Sequence, residues 1–166
     1  MPFIKDGQIT EDRFHVLSDG DAPDSESSIL VPASRFLADP ESFLTRNAPT
    51  GLLWPNDRRV SDLAPHLHRL SVVVLTFPTF RDGRAYSQAR QLREQYQYGG
   101  ELRASGEILR DQFLFLIRAG FNSLDVKKPS DADAWAQTVS RYTVFYQPTG
   151  DSRETATLQR RDHKVG

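Results

Sequence analysis

Cysteine is missing from all 166 residues. That absence excludes disulfides, thiolate nucleophiles, thiolate zinc sites and thiolate-held iron–sulfur clusters. Any redox cofactor would have to be held non-covalently and without thiolates. Lysine is scarce, 4 of the 21 cationic residues, so arginine supplies the other 17. An excess of one charge sign is missing too. The formal net charge is −1, so no global field draws the chain to nucleic acid or to an anionic membrane. Long apolar runs are absent. The longest, Phe113 to Ile117, falls far short of the ~20 residues of a membrane span. The N-terminal residues Met1 to Gly7 lack the apolar region of a signal peptide. These absences predict a cytoplasmic protein with no nucleic-acid and no membrane partner.

A mass of 18.8 kDa suits one domain with a real core. Residues 1–27 read as an N-terminal β-hairpin and a loop. Asp6-Gly7 stands between Phe3-Ile4 and Ile9, a type I′ turn signal. Phe14 and Val16 can supply a further strand, and 18–27 is polar and turn-rich. Residues 28–146 read as a single α/β domain. Short strand-like runs at Ile29–Val31, Leu52–Trp54, Val72–Phe77, Glu101–Ala104 and Ser123–Val126 alternate with helical spacing. Val60, Leu63, Leu67 and Leu70 mark one helix; Ala85, Ala89, Leu92 and Tyr96 mark another. Ser105 is placed to cap a helix from Gly106 to Ala119, ended by Gly120. Thr143 to Tyr146 can form a last strand, and 147–166 read as a disordered polar tail. The alternation predicts a mainly parallel sheet of about five βα units. An open doubly wound sheet is the first expectation. A partial TIM-barrel that closes by dimerising is the alternative, because five units are too few for a closed barrel of eight.

Ligands of such folds sit at the carboxyl ends of the strands. Three loops fall there: Arg81 to Ser87, Ser105 to Asp111, and Lys127-Lys128. In the first, Arg81 and Arg84 flank Asp82-Gly83, with Tyr86 and Ser87 just inside the helix. Arginines beside a helix start are parts of an oxyanion site. They equally suit a cap by Asp82 with surface ion pairs. Arg103 alternates with Leu102 and Ala104, so a buried Arg103 needs an acid such as Asp82, Glu101, Glu107 or Asp111. Gln112 stands among apolar neighbours and is placed to bond backbone. Phe113, Phe115 and Ile117 make their helix apolar all round, which fits a buried helix or a subunit interface. Asp82 is the candidate catalytic acid/base, able to meet Glu107 at the strand ends. His66 and His68 face apart on a helix, so no metal is expected. No P-loop, dinucleotide fingerprint or nucleophile elbow is present.

The blocks Phe77-Pro78-Thr79-Phe80-Arg81-Asp82-Gly83-Arg84-Ala85-Tyr86-Ser87-Gln88-Ala89-Arg90, Gly100 to Ala104, Leu109 to Gln112 and Ala119-Gly120-Phe121 keep a particular order. In that order, from Ile29 to Val126, the chain resembles the bacterial family termed domain of unknown function 934. The resemblance implies a link to assimilatory sulfate and sulfite reduction, where the family is sometimes labelled an oxidoreductase. It supplies no catalytic residue. Relatives often carry cysteine where this chain has Ala119, and a chain without cysteine has no thiol or iron–sulfur chemistry of its own. The expectation is therefore a non-redox accessory factor without a cofactor. It would bind a small oxyanion, or a partner such as sulfite reductase or another sulfur-assimilation enzyme, through Arg81, Gly83, Arg84, Tyr86, Ser87, Arg103, Ser105 and Arg110. An enzyme acting on a sulfated or phosphorylated metabolite is a second reading. A structural interaction module, self-associating or not, is a third.

Overall fold

The computed structural model describes residues 2–141. The strand expected at 143–146 and the tail expected at 147–166 lie outside the described residues. Eight strands form one sheet: β1 (Pro2–Lys5), β2 (Gln8–Glu11), β3 (His15–Val16), β4 (Ile29–Pro32), β5 (Thr50–Trp54), β6 (Val72–Phe77), β7 (Glu101–Gly106) and β8 (Ser123–Asp125). The N-terminal hairpin is as expected. Asp6 and Gly7 both have positive φ (50° and 83°), the mark of a type I′ turn.

The strand order is β2-β1-β8-β7-β6-β5-β4-β3. From β3 to β8 every neighbour is parallel and next in sequence. The order never reverses, so the sheet lacks the switch point that defines a doubly wound fold. The sheet is mixed and curls as a half-barrel. β1 runs antiparallel to β8, and β2 antiparallel to β1. The two edge strands, β2 and β3, are joined by Asp12, Arg13 and Phe14 alone. Four Cα steps of 3.8 Å reach about 15 Å. Opposite edges of an eight-stranded sheet can be that close only if the sheet wraps round on itself. Phe14 then fills the concave face, packed with Leu53 against Leu30, Val72 and Val74. The half-barrel agrees in outline with the partial-barrel alternative, and Phe14, from the chain's own link, packs on its concave face.

The convex face carries the main core. Ile4, Val31, Leu52, Trp54, Val73, Leu75, Leu102 and Leu124 alternate with the inward residues along their strands and meet the helices. The helices are α1 (Ala33–Ala38) and α2 (Pro40–Leu44), a 3-10 helix (Val60–Arg69), α3 (Arg84–Arg90) running into a π turn (Gln91–Gln95), α4 (Phe113–Ala119) and α5 (Pro129–Arg141). The expected apolar spacing of Val60, Leu63 and Leu67 is buried. Pro65 lacks the N–H that an α-helix would use there.

The start of α4 departs from expectation. β7 continues through Ser105 and Gly106, which pair with Thr76 and Phe77. Gly106 turns the chain with φ 105°, and Glu107 N donates to Phe77 O at 2.8 Å. No helical turn begins until Arg110, five residues on, so Ser105 is not the N-cap. A 3-10 turn, Arg110–Gln112, leads into α4 instead. Leu109 N donates to Gln112 Oε1 at 2.9 Å. Gly120, at φ 107°, closes α4 as expected, with Phe121 N donating to Leu116 O.

Candidate functional site

Arg103 lies inside the curl, 1% exposed. Its Nε donates to Glu101 Oε1 at 3.0 Å and its Nη1 to Asp12 Oδ2 at 2.7 Å. Asp125 Oδ1 stands 4.0 Å from Nη1. Lys5 Nζ reaches Glu101 Oε2 at 3.1 Å, and Ser123 Oγ donates to Glu101 Oε1 at 2.8 Å. The guanidinium sits over the Phe3 ring at 4.1 Å and within 5.9 Å of the Phe14 ring. Two cations face three carboxylates. Burial raises the Asp125 pKa above its ordinary 3.8, against the Ser105 hydrogen bond and the Arg103 charge, which lower it. Of the acids expected to partner Arg103, Glu101 does so. Asp12 was not among them, since 91 residues separate it from Arg103. Arg103 is committed to holding the curl together, away from the loops that follow the strands.

At the rim of strand ends, Arg84 turns back on Asp82. Its Nε donates to Oδ1 at 3.0 Å, its Nη2 to Oδ2 at 2.7 Å, and its backbone N to Oδ1 at 3.2 Å. These bonds hold the Asp82 carboxyl far below the usual carboxylate range, with the Asn56 amide nearby adding to the effect. A carboxylate so held has no proton to give near neutral pH. In this arrangement Asp82 is a charged partner of Arg84 and the first-turn cap of α3. Arg110 Nε donates to Asp131 Oδ1 at 2.8 Å, and its Nη2 to Ser130 Oγ. Arg81 stacks over the Phe80 ring at 5.4 Å. Gly83 precedes α3 and Ser87 faces out. Tyr86 packs edge-on against Phe77 at 5.0 Å, and burial raises its hydroxyl pKa. The expected clamp is therefore dispersed. Arg84 and Arg110 each hold an acid of their own, and Arg103 lies inside the sheet.

What the rim leaves exposed includes large apolar side chains. Phe80 is 39% exposed, Leu109 44% and Phe115 55%. Gln112 Nε2 donates to Phe80 O at 2.8 Å, tying the loop after β6 to the one after β7. Gln112 precedes Phe115 by three residues, on the same flank of the helix. Phe113 and Ile117, expected at an interface, are buried in the chain's own core, Phe113 edge-on to Trp135 at 5.3 Å. Lys127 and Lys128 are exposed. His66 packs edge-on to Phe36. No group of three or more His, Asp or Glu able to hold a metal occurs among the described residues.

A groove of about 410 Å³ opens between the loop after β5 and the outer side of α3 and its π turn. Asn56, Arg58, Arg59, Gln88, Gln91 and Gln95 line it. Gln88 Nε2 donates to Pro55 O and Arg58 O, both at 2.9 Å, leaving its buried Oε1 without a partner. Asn56 Nδ2 is buried and completes no hydrogen bond. Sequence reasoning missed this groove, although the spacing of the glutamines at i, i+3 and i+7 is a signal that could have found it.

A family model described as "Bacterial protein of unknown function (DUF934)" matches residues 51–157. The match takes in the rim and the groove and leaves out β1 to β4. No curated protein matches the chain. Among the described residues no helix is long and apolar enough to cross a membrane.

Proposed function

We propose, from the premise that the chain belongs to the DUF934 family of bacterial proteins of unknown function, that it is a non-redox accessory factor of assimilatory sulfite or sulfate reduction. It docks on a partner enzyme, with sulfite reductase the first candidate, through the rim formed by Phe80, Arg81, Leu109 and Phe115. The observation that carries this reading is the apolar exposure of Phe80, Leu109 and Phe115 around the Gln112 bridge. Large apolar side chains grouped on a surface lose water contact when a partner covers them. Arg81 adds a cation that has no acid partner among the described residues, and arginine beside an aromatic is a favoured interface anchor. The oxyanion arm of the expectation has less support, because Arg84 and Arg110 are already neutralised by Asp82 and Asp131. The non-redox reading rests on the sequence, which has no thiol.

Co-purification with sulfite reductase tests it. The intact chain is expected to hold the reductase on an affinity column. Phe115→Asp and Phe80→Asp should each weaken that retention at least ~10-fold, as for interface anchors. Their thermal unfolding should stay close to that of the parent, because both side chains are exposed. Absence of retention by the intact chain, or retention by both variants equal to the parent's, overturns the reading.

A further inference from the structure

We infer that the groove between the loop after β5 and the α3 π turn is a binding site for a phosphate ester of a sugar. Its walls combine two kinds of recognition. Arg58 and Arg59 are exposed on one side, next to the exposed carboxylate of Asp57, and among the described residues neither arginine forms an ion pair with an acid, so the wall carries one net positive charge. A guanidinium presents two parallel N–H donors that match phosphate oxygens. The opposite wall is built of amides. Gln91 and Gln95 are exposed in the groove, while Gln88, three residues before Gln91, spends its amide N–H groups on the loop after β5 and fixes that wall. An amide offers donor and acceptor together, which suits the hydroxyls of a sugar.

Three features mark the groove as built rather than incidental. Gln88 is almost wholly buried, with only 6% of its surface exposed. Both N–H donors of its amide are spent on Pro55 O and Arg58 O, so its orientation is fixed and its Oε1 lacks a donor. Those same bonds hold the loop that carries Arg58. Asn56 brings a second buried amide, whose Nδ2 falls short of a full hydrogen bond and acts on the Asp82 carboxyl. A buried polar group without a partner is rare in folded proteins and calls for an account. Finally, the helix wall is a π turn, with Tyr96 N donating to Gln91 O at 3.1 Å. It ends α3 and shapes that wall of the groove. None of these residues belongs to the rim surface, so the two proposals stand or fall separately.

Calorimetric titration of the full chain tests the inference. The probes are ribose 5-phosphate, adenosine 5′-monophosphate, inorganic phosphate and ribose. The two esters distinguish a sugar phosphate from a nucleotide. At least one ester is expected to bind ~10-fold more tightly than phosphate or ribose alone, or about 1.4 kcal/mol. Arg58→Ala and Arg59→Ala should each weaken that ester ~5-fold or more and erase its advantage over ribose. Gln91→Ala and Gln95→Ala should weaken the ester while leaving inorganic phosphate unchanged. All four side chains are exposed, so the variants fold. The inference is overturned if no probe saturates below about 10 mM, or if all four variants bind like the parent.

Discussion

A guanidinium shut inside a sheet is stable only while carboxylates surround it and keep their charge. Arg103 meets that condition through Glu101 and Asp12, which touch it directly, while Asp125 stands farther off at 4.0 Å. Asp125 is the member of the group that the fold favours least in its charged form. Its pKa is raised by burial, so the folded chain holds that proton more tightly than the unfolded chain does. The resulting stability is complete below the ordinary carboxylate value of 3.8 and is lost as pH rises through the folded value. Asp125→Asn keeps the shape and removes the charge. It should unfold at a higher temperature than the parent at pH 7, with the difference vanishing near about pH 3. A lower melting temperature for the variant at pH 7 would show that the Arg103 attraction outweighs desolvation. Asp82 has the opposite sign. Its carboxyl is held low by Arg84, so its contribution is present above the ordinary value and fades as pH falls.

At the scale of elements, most of the alternation was legible, because it follows from apolar spacing alone. β6 shows why. Val72 to Leu75 are all at most 1% exposed, as a continuous β-branched run buried on both faces requires. The junction after β7 was not legible. Ser105 has the chemistry of a helix cap, and only pairing with β6 makes it a strand residue. The decisive residue is Gly106. Its left-handed φ ends the strand, and a Cβ at that position would collide with the carbonyl oxygen of Phe77. Gly106→Ala therefore meets two penalties, backbone strain and collision with main chain that cannot move aside. It should lower the free energy of unfolding by about 2 kcal/mol or more. A urea midpoint shift with unchanged slope would show this. A midpoint equal to the parent's would mean that the strand can end elsewhere. The apolar run of α4 was half legible. Its composition demanded burial on more than one side, which Phe113, Leu116 and Ile117 satisfy. Composition could not say which of the helix's two phenylalanines, Phe113 or Phe115, would face out.

At the scale of the whole molecule, closure depends on contacts that spacing does not reveal. The hairpin, the parallel run and the helices each follow from local pattern. The direction of strand order, and the return of Asp12 to Arg103, follow only from the assembled sheet. For the same reason Arg84 and Arg110 looked like parts of one cluster in sequence, and each holds an acid of its own. The three-residue link from β2 to β3 is what turns an open sheet into a curl, and Phe14 is the side chain that occupies the space so enclosed. Phe14 is half-buried, so its removal should cost less than the roughly 3–5 kcal/mol typical of a core phenylalanine. We expect about 2–3 kcal/mol for Phe14→Ala in urea unfolding. Loss of that ring also uncovers Leu30, Val72 and Val74, so the variant should bind an apolar dye that the parent ignores. Ile9→Ala is the control. Ile9 is equally apolar but 57% exposed on the edge strand β2, and its loss should stay within about 0.5 kcal/mol. If Phe14→Ala falls within that same margin, the concave face is closed by something other than this link, and a second copy of the chain becomes the simplest cover for it.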